Sequence, residues 1–125
     1  MIDTDILIDA ERGIPDAASF LAVQHASTGV RLSVVSAMEL MVGCRDAVEM
    51  GRLGQFLAYT TVLPIHVAIS EKAFQLMESF RLSHGLLIPD GLIAATALEH
   101  GLTLFTKNVR HFQMIPGLAV VRPYP

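Results

Sequence analysis

Short apolar runs alternate along this chain with longer segments in which apolar residues recur at helical spacing. The clearest helix is predicted over residues 69–83, where one face carries Ile69, Ala73, Leu76, Met77 and Phe80. Short apolar runs predict strands at residues 1–4, 32–35, 60–63, 103–106 and 118–121. Strands that alternate with helices are typical of an α/β domain with a parallel sheet.

Glycine and proline residues mark the limits of other predicted helices. Gly13 ends a first helix over residues 5–12, and Pro15 suits the first turn of a second helix over residues 15–26. Further helices are predicted over residues 36–44, 48–58 and 90–99. The whole chain, residues 1–125, is therefore predicted to form a single α/β domain in which helices flank a small, doubly wound parallel sheet.

The composition limits the class of protein. The chain has 125 residues and a mass of 13.6 kDa, and its hydrophobic share of 52% excludes a disordered chain. No apolar stretch approaches the roughly 18 residues that would span a bilayer, and the acidic start of the chain is unlike a signal peptide. We therefore expect a cytoplasmic protein that does not associate with membranes. The apolar excess predicts a sheet covered on both faces and a surface that a partner covers.

The net charge directs attention to where the acidic residues lie in the sequence. Nine Lys and Arg residues against twelve Asp and Glu residues give a net charge of −3. This is the wrong sign for holding nucleic acid by bulk electrostatics. A phosphate-bearing substrate would have to be bound locally, and metal ions on carboxylates are one way for an acidic protein to bind it.

Acidic and amide side chains follow the predicted strands or lie at the start of predicted helices. In chain order they are Asp3, Asp5, Glu39, Asp90 and Asn108. Ligands of open parallel sheets bind beyond the carboxyl ends of the strands. We therefore expect these side chains to meet at one edge of the sheet.

Helix capping is an alternative explanation for some of these acids. Ser36 and Glu39 have the spacing of a capping box, and Asp90 has the position of a helix N-cap. Asp5 could cap the first helix, whereas Asp3 is predicted within a strand, where an acid is costly unless it is paired or bound to a cation. Unrelated caps would not converge on one edge. Convergence favours a magnesium or manganese site that hydrolyses phosphodiesters.

Four segments surround these acids with characteristic neighbours. Residues 2–9 read IDTDILID, and residues 36–43 place a glutamate near the start of a helix with a glycine four residues on. Residues 90–97 place an aspartate before an alanine-rich helix, and residues 103–116 read TLFTKNVRHFQMIP. In this order, and over nearly the whole chain, the segments resemble the four motifs of PIN-domain ribonucleases, specifically the VapC-type toxins of type II toxin–antitoxin pairs.

The resemblance implies a PIN-like domain and an endoribonuclease that depends on Mg²⁺ or Mn²⁺. The implied catalytic residues, of which the three acids would also bind the metal, are Asp3, Glu39, Asp90 and Asn108. Secondary candidates are Asp5, which could add a negative charge at the rim of the site, and the hydroxyls of Thr4, Ser36 and Thr106, which could hold ligands or water in place. The family also implies a homodimer that cleaves RNA and is held inactive by a cognate VapB-type antitoxin.

Contacts with these partners are predicted in two parts of the chain. Lys107, Arg110 and His111 lie in the segment that bears Asn108, where they could contact RNA phosphates or be solvated surface charges. Helices around residues 14–26 and 50–58 could form an apolar groove that receives an amphipathic segment of the antitoxin.

Two other functions are compatible with parts of the pattern. A haloacid-dehalogenase-like phosphatase also begins with Asp-x-Asp after a strand, as at Asp3 and Asp5, but Leu7 stands where that family has Thr or Val. A catalytically inactive PIN-like binding module would keep the acids only as helix caps. Cleavage of RNA with magnesium, compared with chelator and with Asp90→Asn, separates these hypotheses.

Overall fold

The computed structural model describes all of residues 1–125, which form six α-helices and four short strands. The helices are α1 (Thr4–Glu11), α2 (Pro15–Ser27), α3 (Val34–Val42), α4 (Ala47–Ala58), α5 (Val67–His84) and α6 (Ile88–Glu99). The strands are β1 (Arg31–Ser33), β2 (Thr61–Leu63), β3 (Leu104–Phe105) and β4 (Val120–Val121), and a 3₁₀-helix covers Val109–His111. None of the helices has the length and apolar character needed to cross a membrane.

The first residues of the chain join two pairs of parallel strands into one sheet. Strand β1 pairs with β2, and β3 pairs with β4. Between them, the Ile2 amide donates to the Arg31 carbonyl at 2.8 Å, and the Asp3 amide donates to the Phe105 carbonyl at 2.9 Å. The order across the sheet is therefore β2, β1, the first segment, β3 and β4, and every strand pairing in it is parallel, in agreement with the predicted doubly wound sheet.

The strand predicted over residues 1–4 is wrong in extent. Only Ile2 forms a bridge, with Phe105, because helix α1 already begins at Thr4. The other predicted strands are present but shorter, since each is followed closely by a helix or a loop. The abrupt passage from strand to helix places Asp3 at the carboxyl edge of the sheet.

Two apolar clusters cover the two faces of the sheet. The two residues of β3 pack into different clusters. Leu104 belongs to the larger cluster, with residues of α5 and α6, and Phe105 packs against the smaller cluster, with residues of α1, α2 and α3. Val62 and Leu63 divide in the same way. Successive side chains of a strand point to opposite faces, so the clusters lie on opposite sides of the sheet. The apolar side chains that are in excess in the composition therefore cover both faces of the sheet.

Helix α5 has the apolar spacing that the sequence predicts. Ile69, Ala73 and Leu76 are its buried residues. The helix ends at Gly85, whose φ of 68° lies in the left-handed region that glycine adopts without steric cost. This sharp end turns the chain back, so that α6 packs against α5 and begins beside the carboxyl edge of the sheet.

Candidate active site

Asp3 is buried at the carboxyl edge of the sheet and caps helix α1. Its Oδ1 accepts a hydrogen bond from the Thr4 amide at 2.8 Å, and its Oδ2 accepts one from the Thr106 hydroxyl, also at 2.8 Å. The expectation that Asp5 rather than Asp3 caps the first helix is wrong, because the helix begins one residue earlier than predicted. Asp3 thus has a capping role in addition to its place among the acids.

Thr106 connects the start of α1 to the loop after β3. Its hydroxyl donates to Asp3, lies 3.3 Å from Asp5 Oδ2, and accepts a hydrogen bond from the Asn108 amide at 3.0 Å. The Lys107 amide donates to Asp5 Oδ2 at 2.8 Å. Asp5 Oδ1 is buried and has no hydrogen-bond partner, so one carboxylate oxygen remains free for a ligand.

Glu39 joins this network through Thr4 rather than through a capping box. Helix α3 begins at Val34 because the Ser33 side chain caps it, accepting from the Val35 amide at 3.1 Å. The predicted capping box of Ser36 and Glu39 is therefore wrong. Glu39 Oε1 instead accepts a hydrogen bond from the Thr4 hydroxyl at 2.8 Å. Ser36 is buried inside the helix, and its hydroxyl oxygen has no partner.

Asp90 lies in the first turn of α6 but does not cap it. The N-cap position belongs to Leu87, so the N-cap prediction for Asp90 is wrong. Its side chain is 21% exposed, and Oδ2 lies 3.5 Å from Nδ1 of His111. The carboxylate of Asp90 is therefore turned toward the loop after β3 and is available for another partner.

The pKa shifts show that these carboxylates share one electrostatic environment. Burial, with the charges of Asp5 and Asp90, raises the pKa of Asp3 to about 7 against the lowering effect of the hydrogen bonds from Thr106 and Thr4. Burial also raises the pKa of Asp90, as do the charges of Glu39 and Asp5, against the lowering effect of His111. The acids of α1, α3 and α6 are therefore brought together, as the sequence predicts.

The segment after β3 lies beside the acids but contributes less to the cluster than predicted. Asn108 is exposed, and its backbone amide rather than its side chain makes the contact with Thr106. Lys107 Nζ lies 2.6 Å from Asp9 Oδ2. Arg110 is exposed, and His111 faces Asp90.

Asp9 and Tyr124 form a contact that the sequence analysis missed. The Tyr124 hydroxyl donates to Asp9 Oδ2 at 2.8 Å, on the same oxygen that Lys107 approaches. Asp9 lies four residues after Asp5, so both acids occupy the same face of α1 and face the same loop. That spacing is the one signal in the sequence that could have identified Asp9, whereas nothing local indicates Tyr124.

The donor atoms at this edge fit a hydrated hard cation. All are carboxylate, hydroxyl or amide oxygens, which Mg²⁺ and Mn²⁺ prefer. No three His, Cys, Asp or Glu side chains lie close enough together to form a ready-made metal cage. Mg²⁺ usually keeps several waters and binds through one or two carboxylates. The free Oδ1 of Asp5 and the raised pKa of Asp3 are what such a site has before a cation neutralises it.

An apolar groove lies on the face of the molecule that carries α1 to α4. Its volume is about 440 Å³, and its apolar lining comes from Leu7, Ala10, Leu21, Leu40, Leu53 and Phe56. Leu21 belongs to α2, and Leu53 and Phe56 belong to α4, so both helices predicted to form a groove do line it. Helices α1 and α3 form the rest of the wall, which the sequence analysis did not predict.

The chain is similar in sequence and in structure to known proteins. The family model for the PIN domain matches residues 1–117. Ribonuclease VapC10 of Mycobacterium tuberculosis is 37% identical over 119 residues, covering 94% of this chain and 89% of the relative. Ribonuclease VapC19 of the same organism is 36% identical over 120 residues, covering 94% and 95%. A toxin–antitoxin complex from Klebsiella pneumoniae contains a chain with a TM-score of 0.80 and 35% identity, covering 98% of this chain and 96% of that one.

Proposed function

Because this chain belongs to the PIN domain family, we propose that it is an endoribonuclease of the VapC toxin type, formed by residues 1–125 and dependent on Mg²⁺ or Mn²⁺. The observation that carries the proposal is the cluster of Asp3, Asp5, Glu39 and Asp90 at the carboxyl edge of the sheet, where the pKa of Asp3 is raised to about 7. Isolated capping residues would not raise one another's pKa values. The relatives named ribonuclease supply the substrate class.

The roles of the residues follow from their positions. Asp3, Glu39 and Asp90 would hold the cation directly or through its water molecules, and the cation would supply neutralisation of charge on the scissile phosphate and a lowered pKa of a bound water. Thr106 and Thr4 fix the orientation of Asp3 and Glu39 by the hydrogen bonds that they donate. Asn108 is placed beside Thr106 at the mouth of the site, where its exposed amide can contact substrate.

Removal of divalent cations tests this assignment directly. The purified chain, freed of any antitoxin, is expected to cleave single-stranded RNA with Mg²⁺ or Mn²⁺, and chelator is expected to lower the rate at least tenfold. The rate should return when either cation is restored. Cleavage that is indifferent to chelator would refute the metal-dependent mechanism, and no cleavage under any condition would favour an inactive binding module.

The apolar groove provides a binding site for the proposed VapB-type antitoxin. An amphipathic helix buries one apolar face in a groove of this kind, and charged residues Glu11, Glu49 and Arg52 at its border could set the register. We also assign the large exposed apolar residues of α3, Met38, Met41 and Val42, to contacts in a homodimer. We propose that the protein acts in the cytoplasm, where an RNA substrate and a cognate antitoxin would both be available to it.

Phe56→Lys is expected to weaken binding of the cognate antitoxin about tenfold and to leave RNA cleavage by the free toxin unchanged. Phe56 is 37% exposed and lines the groove, so a charged side chain there must be desolvated when a helix docks. The matched control is Phe74→Lys, because Phe74 is 67% exposed on α5, outside the groove. Equal antitoxin affinities of the two variants, measured by titration calorimetry, would place the antitoxin elsewhere.

The phosphatase alternative is wrong, since the chain belongs to a different family. The geometry agrees with this outcome. A phosphatase of that kind would use Asp3 as its nucleophile, yet both oxygens of Asp3 accept hydrogen bonds and the residue is only 5% exposed. Nucleophilic attack needs an exposed oxygen, whereas a carboxylate oxygen that accepts one hydrogen bond keeps a second lone pair for a cation.

A further inference from the structure

A second cavity, lined by basic side chains, lies beside the acidic cluster. We call it the basic pocket, and its volume is about 560 Å³. Apart from Val109, its lining residues are His84, Lys107, Asn108, Arg110, His111 and Arg122. They come from the end of α5, the segment after β3 and the residues after β4, so the pocket exists only in the folded chain.

The charge of the basic pocket contrasts with that of the whole molecule. The chain has a net charge of −3, yet three of its nine Lys and Arg residues line this one cavity together with two of its five histidines. No acidic side chain is among the lining residues. A concave surface with one sign of charge concentrates counter-ions of the opposite sign, so the pocket is suited to an anion.

Two arginines of the basic pocket are free to bind such an anion. Arg110 is exposed and forms no hydrogen bond or ion pair within the protein. The Arg122 guanidinium donates to the Lys107 carbonyl at 2.9 Å and to the Tyr124 carbonyl at 3.0 Å, so it is held in place without a carboxylate partner. Lys107, in contrast, is already paired with Asp9. Arginine is the side chain best matched to phosphate oxygens.

The basic pocket adjoins the candidate metal site. His111 lines the pocket and its Nδ1 lies 3.5 Å from Asp90 Oδ2, while the amide of Asn108 contacts the Thr106 hydroxyl that also binds Asp3. A strand whose scissile phosphate lies at the acids would therefore carry its next phosphates into the pocket. The near absence of apolar side chains in the lining disfavours a peptide, which would need apolar contacts as well as charge.

We propose that the basic pocket binds the sugar-phosphate backbone of single-stranded RNA on one side of the scissile bond, with Arg110 and Arg122 as the phosphate contacts. The inference rests on the proposed function, and it adds His84 and Arg122 to the contacts predicted from sequence. Contacts of this kind position the strand and carry no base sequence. Base specificity would then have to be read elsewhere on the molecule.

The test separates binding from cleavage. Binding of a fluorescent single-stranded RNA is measured by anisotropy in the presence of chelator, over a range of salt concentrations, for the wild type, Arg110→Gln and Arg122→Gln. Each substitution is expected to weaken binding about threefold to tenfold and to reduce the slope of log affinity against log salt by about 0.7, the value for one phosphate contact on a single strand. Arg110→Gln removes no internal contact, so it is informative even if Arg122→Gln disturbs the loop.

Lys72→Gln is the matched control, because it removes one positive charge from α5 at a distance of roughly 18 Å along the helix from His84. It is expected to leave the slope unchanged. Unchanged slopes in both pocket variants would overturn the proposal. Binding of a fluorescent polyglutamate peptide is measured in the same way, and variants that lose this binding but keep RNA binding would also overturn it. A reduced slope in a protein that cleaves no RNA would support the pocket while refuting the proposed nuclease activity, so the two failures are distinguishable.

Discussion

Asp90→Asn is expected to lower the rate of RNA cleavage about a thousandfold without changing the fold. Asparagine has the same shape as aspartate but carries no charge, and loss of a carboxylate that holds a divalent cation removes several kcal/mol of transition-state stabilisation. Asp90 caps no helix and is only 21% exposed, with its carboxylate turned toward His111. The measurement is the single-turnover cleavage rate at saturating Mg²⁺, with circular dichroism to verify the fold.

Asp16→Asn is the matched control for this substitution. Both aspartates directly follow a proline in the first turn of a helix, Asp16 after Pro15 in α2 and Asp90 after Pro89 in α6. Asp16 is exposed and lies outside the acidic cluster, so its substitution should change the rate less than twofold. If the two variants cleave RNA equally fast, Asp90 does not hold a catalytic cation.

The order of elements could be predicted from sequence because it depends on local spacing. In α5 the residues Ile69, Ala73 and Leu76 recur at helical intervals, and Gly85 ends the helix, so pattern and structure agree. The start of α3 could not be predicted in the same way, because Ser33 and Ser36 are both suitable caps by type. Only the end of strand β1 decides that Ser33 is the cap.

The acidic residues of the candidate site could be predicted from the sequence, but the hydrogen bonds that connect them could not. Asp3 follows the rule that residues after parallel strands converge at one edge, and Asp90 reaches the same edge because α6, which comes directly after α5, begins there. The hydroxyl that joins Asp3 to the rest of the site belongs to Thr106, 103 residues away along the chain. The contact of Tyr124 with Asp9 spans 115 residues. Contacts at such separations depend on the completed sheet, and no local pattern encodes them.

The metal-free protein is expected to lose stability as the pH rises from about 4 to about 7, because in this range Asp3 keeps its proton only in the folded state. Burial raises the pKa of Asp3 from 3.8 to about 7, so between these values the folded chain binds a proton that the unfolded chain has released. The slope of the free energy of unfolding against pH is then negative. The raised pKa of Asp90 acts in the same direction. The full effect of Asp3 is roughly 2–4 kcal/mol by pH 8.

Asp3→Asn is expected to remove most of this loss, since asparagine stays neutral at every pH. Its amide oxygen can still accept from the Thr4 amide, and the Thr106 hydroxyl can turn to Asp5, 3.3 Å away. At pH 8 in chelator, the melting temperature of the variant should exceed that of the wild type by about 10 °C, and at pH 4 the two should agree. Mn²⁺ should then raise the melting temperature of the wild type far more than that of the variant. If the melting temperatures of the wild type and the variant changed in parallel from pH 4 to pH 8, the pKa of Asp3 in the folded protein would be that of an exposed aspartate. The raised pKa would then no longer support a cation at this site.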